Sequence, residues 1–334
     1  MRTFMDRADE SVDDFVAIHR LHARAVHGGP IFLPWHRLFL LDFEDALRVV
    51  DPSVVLPYWQ WTVSWEDPAM SPVWSPDFLG GATSGGCIAD GLFADMRTTF
   101  PTSRCVRRGF NSDTPRGMGR IRFEEPSVLA ELVTGFSNYS TFVRALEFAH
   151  GAPHAAIGGA LLRSDRGDMF SLFTAAADPS FYVHHAFVDK LWADRQATPG
   201  KSATEYGGTF RGRRVSSTDT LAPFNATVAD AMALPCVSYA PMRSRLAARG
   251  RSARARAAAE AKAETRRATP LTWAQAVALV EATNGDKVWA MELFARANRV
   301  PEDILQAQKA ALKKVEVVAT VKGTTAAACG DFYV

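Results

Sequence analysis

Histidine is distributed unevenly along this chain of 334 residues, and that distribution constrains the fold more than any other feature. The eight histidines fall at positions 19, 22, 27 and 36 and again at 150, 154, 184 and 185. The total is ordinary for a chain of this length, so the clustering carries the information. It favours a fold that gathers imidazoles from two distant stretches into defined groups.

The segment EFAHGAPHAAIGG has the clearest metal-binding spacing. His150 and His154 are four residues apart, so on a helix their side chains share one face. Two such imidazoles bind one metal ion when a later helix supplies a third ligand, for which His184 and His185 are both candidates. A histidine pair at this spacing is by itself more often a surface accident, but the additional histidines favour a metal site.

The N-terminal cluster repeats this logic. The segment VDDFVAIHRLHARAV predicts an amphipathic helix carrying His19 and His22, His27 lies in the following loop, and His36 is expected to begin the next helix. Three neutral imidazoles per ion suit zinc, copper, iron or nickel. Because both clusters lack carboxylate and cysteine ligands, two all-imidazole sites favour a copper pair, with zinc second.

Helices and long loops are predicted for the rest of the first 242 residues. HRLFLLDFEDALRVV predicts a helix that stops at Asp51-Pro52. Residues 52–118, rich in Pro, Gly, Ser and Trp, predict an irregular region pinned by aromatic side chains. Residues 200–242 predict scattered short strands and turns.

Two further helical stretches carry the second histidine cluster. The segment beginning PSVLAELVTG predicts helix with a break near Gly135, ending at the pair Gly158-Gly159. DPSFYVHHAFVDKLWADRQ predicts a helix with Asp178 as N-cap and Pro179 at its first position.

A change in composition near residue 242 divides the chain. Residues 243–268 hold nine Lys/Arg and two Glu, and we interpret residues 243–334 as an Arg/Ala-rich linker followed by a helical C-terminal extension. A nucleic-acid role for the basic run is disfavoured, because it lacks interleaved aromatic residues. No run of eighteen apolar residues predicts a membrane span, so no membrane partner is expected.

The cysteines and the N-terminal sequence give information on the cellular compartment of the protein. Cys87 and Cys105 lie in a Gly/Ser/Thr-rich loop region where a disulfide would substitute for a missing core, which implies an oxidising compartment. The sequons NYS and NAT fit the same compartment. The N-terminus lacks the apolar core of a signal peptide. We expect a secreted protein or one in a secretory compartment, with an intracellular location as the alternative.

Three long segments, HGGPIFLPWHRLFLLDFEDALR, LEFAHGAPHAAIGG and DPSFYVHHAFVDKLW, closely resemble the copper-binding segments of the type-3 copper family of tyrosinases, catechol oxidases and molluscan haemocyanins. LPYWQWT resembles the segment between the family's two halves. The resemblance covers about residues 12–242 and implies a tyrosinase-like catalytic domain over residues 1–242. Its fold would be mainly α, a four-helix bundle holding a dicopper centre, with long irregular loops and a few short strands.

Carried over by position, the resemblance assigns ligands to two copper ions. The first ion takes His19, His27 and His36, and the second takes His150, His154 and His185. His22 is then a spare, and His184 supports or packs beside a ligand. Asp189, four residues after His185, is a candidate for orienting an imidazole, and its alternative is an ordinary surface charge.

The chemistry implied by the resemblance is oxidation of o-diphenols to o-quinones with O2 as co-substrate. No catalytic side chain beyond the metal ligands is assigned. In the family, an Asn directly after the first ligand of the second copper, together with a remote Glu, holds a water that assists monophenol hydroxylation. Gly151 occupies that position here, which puts hydroxylation in doubt. No Cys lies near His27, so the thioether cross-link of some relatives is not expected.

Three classes of function remain open at this stage. The favoured one is a copper-dependent phenol oxidase acting on small phenolic substrates, with melanin-type pigment as a family expectation. The second is a haemocyanin-like oxygen-binding protein without turnover, and the third is a non-catalytic or zinc-loaded relative. The C-terminal extension is either a cover over the site or dispensable, and the sequence leaves the oligomeric state open.

Overall fold

A computed structural model of the chain describes residues 11–242, except 67, 69–70, 83–85, 111–120, 122, 160–165 and 233–236. The described part is rich in helix, with a few short strands, as predicted. None of its helices is long and apolar enough to cross a membrane. The predicted linker and helical extension over residues 243–334 lie outside the described residues. The described α-helices are α1 (Val12–Val26), α2 (Phe32–Val50), α3 (Pro126–Gly135), α4 (Tyr139–Gly158), α5 (Ser180–Gln196) and α6 (Val228–Met232).

The described strands form three separate antiparallel pairs of two residues each. Between the helices the chain is irregular, with short 3₁₀ turns, which agrees with the loops predicted from composition. The strand pairs are β1 (Arg97–Thr98) with β2 (Arg104–Cys105), β3 (Thr209–Phe210) with β4 (Arg213–Arg214), and β5 (Thr220–Leu221) with β6 (Ala226–Thr227).

Helix α1 has the bounds that its hydrophobic spacing predicts. Its N-terminus is capped because the Asp14 carboxylate accepts a hydrogen bond from the backbone N–H of Ser11 at 2.7 Å. Phe15 and Val16 bury one face of the helix, and His19 lies on that face, 1 % exposed. The helix ends where His27 adopts an extended backbone.

Helix α2 begins at Phe32, four residues earlier than expected, so His36 lies in its second turn. The segment FLPW predicts a loop because it contains Pro34. In the structure Pro34 is the third helical residue, where a missing N–H breaks no helical hydrogen bond. The earlier start orients His36 rigidly, since its backbone is fixed on both sides.

The other two histidine-bearing helices follow the sequence closely. The predicted break at Gly135 is confirmed, and α4 ends at Gly158 with Gly159 in the left-handed conformation at φ 72°. Helix α5 begins at Ser180, one residue later than predicted, and Pro179 precedes it. Asp178 still accepts a hydrogen bond from the N–H of Ser180 at 2.8 Å, but its main partner is Arg108.

A buried ion pair connects the irregular region to the helices, and a disulfide cross-links that region internally. Arg108 and Asp178 are both inaccessible to solvent and form two parallel N–H···O bonds of 2.8 Å. Cys87 and Cys105 are disulfide-bonded, with their Cα atoms 5.7 Å apart, which confirms the expected link within this region. Buried tryptophans of the same region, Trp59, Trp61 and Trp74, continue the core that the helices form.

Candidate metal centre

Histidine side chains from both sequence clusters converge into two groups. His19, His27 and His36 form the first group, and His150, His154, His184 and His185 form the second. Within each group, the candidate ligand nitrogens lie within 4.8 Å of one another. These residues come from helices α1, α2, α4 and α5 and from the loop after α1.

The two groups are neighbours. The rings of His36 and His185, one from each group, stack with centroids 4.5 Å apart and planes 12° from parallel. Across the groups, His27 and His150 stack more loosely at 6.4 Å. The structure therefore presents one cluster of imidazoles, made of two adjacent groups, instead of two remote sites.

Backbone carbonyls fix the orientation of four of these rings. The Nδ1 atoms of His27, His36 and His154 lie 2.7, 2.8 and 2.9 Å from the carbonyls of Ala23, Phe32 and Met169. His150 makes the same contact with the carbonyl of Glu147. A carbonyl only accepts hydrogen bonds, so each Nδ1 carries the proton and each Nε2 carries a lone pair.

Several buried imidazole nitrogens have no hydrogen-bond partner among the described residues. They are both ring nitrogens of His19, Nε2 of His36, and the Nδ1 atoms of His184 and His185. Burying polar nitrogens without partners costs free energy, so their persistence calls for a ligand. In addition, Nε2 of His154 lies 3.2 Å from Nε2 of His185. Convergent lone pairs of this kind fit a cation with affinity for imidazole, as copper has.

Burial keeps the cluster neutral. Desolvation is the largest cause that lowers the pKa values of His19, His36, His150 and His185 well below the ordinary value, and neighbouring imidazoles lower them further. Burial lowers the pKa of His154 to about 4. Neutral imidazole is the form that binds metal ions, so these five rings need not lose a proton to bind metal at neutral pH.

Two phenylalanine rings enclose the cluster. Phe32 packs against His150 and His36 with centroid distances of 4.8 and 4.6 Å, and Phe181 packs against His185 at 4.2 Å and His19 at 4.9 Å. Both phenylalanines are fully buried. They exclude water from two sides of the imidazoles, which strengthens electrostatic interactions inside.

The two spare histidines differ in their surroundings. His184 is fully buried, and its Nε2 lies 3.1 Å from the carbonyl oxygen of His150. Its ring also stacks on that of His150 at 5.5 Å, with planes 6° apart. His22 is half-buried beside Trp35 and belongs to neither group.

Asp189 is buried, so its interpretation as a surface charge is wrong. Its carboxylate does not bind an imidazole either. Arg37 Nε contacts its two oxygens at 2.8 and 3.0 Å, and the Tyr239 hydroxyl donates to Oδ2 at 2.6 Å. Arg37 directly follows His36 on α2, and Asp189 lies four residues after His185 on α5. Their ion pair therefore connects α2 to α5 beside one histidine of each group.

Sequence reasoning missed Arg37, Tyr239 and Glu147. Glu147 contacts His150 of the second group through its backbone carbonyl, and its carboxylate accepts a hydrogen bond from the N–H of Gly28, the residue after His27 of the first group. Its position three residues before His150, on the same helical face, was the available signal. Arg37 and Tyr239 gave none, because their partner is distant in sequence.

A family model and curated relatives agree on one family. Residues 9–198, more than half of the chain, match the family model described as the common central domain of tyrosinase. The tyrosinase of Streptomyces antibioticus is 35 % identical over 228 residues, covering 63 % of this chain and 78 % of that protein. The tyrosinase of Streptomyces glaucescens is 34 % identical over 241 residues, covering 64 % and 82 %. A solved polyphenol oxidase mutant from Thermothelomyces thermophila aligns with a TM-score of 0.46 and 27 % identity, covering 56 % of this chain and 59 % of that one.

Proposed function

Because the chain belongs to the tyrosinase family, we propose that it oxidises small o-diphenols to o-quinones at a pair of copper ions, with O2 as co-substrate. The observation that carries the proposal is the pair of adjacent groups of imidazoles, most of them buried. Family membership favours an enzyme over a haemocyanin-like carrier, since the curated relatives compared above are tyrosinases.

We assign three ligands to each ion. His19, His27 and His36 would hold the first, and His150, His154 and His185 would hold the second. The carbonyl contacts of four of these rings support the assignment, because they aim Nε2 into the cluster. Helix α2 contacts α1, α4 and α5, and α4 contacts α5, which supports a four-helix arrangement.

His184 would support the second ion without binding it. Its Nε2 hydrogen bond to the carbonyl of His150 and its stacking on the same ring would hold His150 in place. Asp189 would act indirectly, because its ion pair with Arg37 fixes α2 against α5. A bound copper pair supplies electron exchange between the diphenol and O2, and the protein supplies orientation and a dry cavity.

Monophenol hydroxylation remains the less supported activity. Gly151 has no side chain to hold a water, although a Cβ placed there would meet no atom within 4 Å. The Glu147 carboxylate accepts a hydrogen bond from the N–H of Gly28, directly after His27, and its backbone carbonyl accepts from Nδ1 of His150. We propose Glu147 as the remote Glu that sequence reasoning did not locate.

The remaining sequence-based predictions stay proposals. Residues 1–242 would form the catalytic domain, and residues 243–334 would form an extension that covers the site or is dispensable. The disulfide between Cys87 and Cys105 supports an oxidising compartment and hence secretion.

The direct test uses the full chain loaded with copper. We expect two copper ions per chain, an O2-dependent absorption band in the near ultraviolet, and O2 consumption with 4-methylcatechol. Little or no turnover of tyramine is expected while Gly151 is present. A band without turnover of either phenol would support an oxygen carrier, and failure to bind copper would refute the proposal.

Matched histidine variants test the ligand assignment. His36→Ala is expected to lose one copper ion and catechol turnover, whereas His22→Ala retains both ions, since His22 lies outside the groups. Metal analysis of the purified variants distinguishes these results. Retention of both ions by His36→Ala would refute the assignment.

A further inference from the structure

His27 differs from the other five candidate ligands because it does not lie on a helix. It lies in the short loop of residues 27–31 between α1 and α2, here called the His27 loop. The ring is half-exposed, whereas His19 and His36 are buried. A loop residue needs contacts from outside the loop to hold a ligand geometry.

Helix α4 supplies one set of such contacts. The Glu147 carboxylate accepts a hydrogen bond from the N–H of Gly28. The buried Tyr139 hydroxyl donates to the carbonyl of Pro30 at 2.7 Å. These contacts fix the loop against the helix that carries His150 and His154.

The hairpin formed by β3 and β4, residues 209–214, supplies a second set. A Cβ added to Gly29 would lie 2.4 Å from the Phe210 ring, so that ring rests directly on the backbone of the loop. Arg211 Nη2 donates to the carbonyl of Arg24 at 2.8 Å. The guanidinium of Arg211 also lies 5.1 Å from the Phe210 ring centroid.

The Arg211 contact acts on the end of helix α1 that orients His27. The last carbonyls of a helix lack donors within it. At the end of α1, the carbonyl of Ala23 accepts from Nδ1 of His27, and the next carbonyl, of Arg24, accepts from Arg211. Adjacent carbonyls of one helical turn thus bind the ligand ring and the hairpin.

The backbone of Arg211 adopts a conformation that is unfavourable for arginine. Arg211 and Gly212 are the two turn residues of the hairpin, with φ values of 51° and 78°. Two-residue turns with positive φ at both positions favour Asn-Gly, and an arginine in the left-handed region is strained. Strain kept at a contact beside a candidate ligand points to function.

We propose that the β3–β4 hairpin clamps the His27 loop, with Arg211 and Phe210 as positioning residues that set the copper affinity of the first site. This inference rests on the proposed function, because it presupposes copper at His27. The two residues act through the loop and the end of α1 without touching the metal themselves. They are separate from the hydrogen bonds that α4 provides.

The test measures copper affinity and thermal stability in the full-length chain. Arg211→Asn removes the guanidinium and gives the turn its preferred residue, and Phe210→Ala removes the ring from Gly29. In copper-stripped protein titrated with Cu(I) against a competing chelator, each variant should bind one of the two ions about tenfold more weakly, the loss typical of outer-shell partners. The copper-free melting temperature of Arg211→Asn should equal or exceed that of the wild type.

Arg214→Asn is the matched control, because Arg214 is an exposed arginine on the same hairpin and pairs with Thr209 across it. It should bind both ions as the wild type does, and Arg211→Lys, which retains a donor, should recover part of the affinity. Wild-type affinity for both ions in Arg211→Asn and Phe210→Ala would overturn the clamp. Equal weakening of both ions with a lower melting temperature would also overturn it. If the wild type itself bound no copper, the proposed function would fail first.

Discussion

The ion pair between Arg108 and Asp178 permits a quantitative test of how the irregular region supports the site. Both side chains are inaccessible to solvent. Arg108 also donates to the carbonyls of Leu79 and Gly80 at 2.8 and 2.7 Å. Asp178 lies two residues before α5, so this pair connects the disulfide-bearing loops to the helix of His184 and His185.

Arg108→Met should lower the free energy of unfolding by about 3–5 kcal/mol, the cost of leaving one partner of a buried pair uncompensated. Met replaces much of the lost volume, so the missing charge and hydrogen bonds dominate the effect. Adding Asp178→Asn should recover part of the loss, because the second variant removes the charge left unpaired.

Urea unfolding of the copper-free full-length chain measures the effect. With a slope of about 3 kcal/mol per molar urea, the midpoint should fall by about 1 M or more. Arg48→Met is the control, since Arg48 pairs with Glu44 on the surface of α2 at 3.0 Å and exposed pairs contribute under about 1 kcal/mol. A loss at Arg108 no larger than at Arg48 would refute the reasoning.

Three further predictions concern the substrate site, the disulfide and acid stability. Gly151→Asn should fold with wild-type stability, because space is open around Gly151, and should raise tyramine turnover relative to catechol turnover; an unchanged ratio would show that Gly151 does not limit hydroxylation. Cys87→Ser should lower the free energy of unfolding by about 3 kcal/mol, as expected for a bond closing 18 residues, and a reductant should then leave its melting temperature unchanged while lowering that of the wild type. The copper-free protein should lose stability as the pH falls below 6.5, since six buried imidazoles have lowered pKa values in the folded state and the unfolded chain takes up protons first. This loss grows as the pH falls further, so a urea midpoint independent of pH between about 7 and 5.5 would contradict the burial of these rings.

Local sequence signals predicted the helices well because their causes are local. The bounds of α1 follow from its apolar spacing and the Ser11–Asp14 cap, and the break at Gly135 follows from glycine. The start of α2 was predicted too late because proline ends helices but is tolerated within the first turn, where Pro34 lies.

In the candidate site, too, local sequence predicted some features but not the contacts between residues distant in sequence. The histidine groups were predictable, since spacing and clustering encode them. Arg37 and Asp189 lie 152 positions apart, and no periodicity links residues at such a separation. The role of the β3–β4 hairpin was equally hidden, because an arginine at a positive φ departs from the residue preferences that turn prediction uses.

Each histidine group also comes from one short, continuous stretch, residues 19–36 and residues 150–185. Closing a short loop costs little chain entropy, so each histidine group can form from contacts within its own stretch of sequence. The halves meet through long-range contacts such as Arg37 with Asp189 and Gly28 with Glu147. The spacing between the two halves is therefore a property of the tertiary fold, whereas the composition of each half is a property of local sequence.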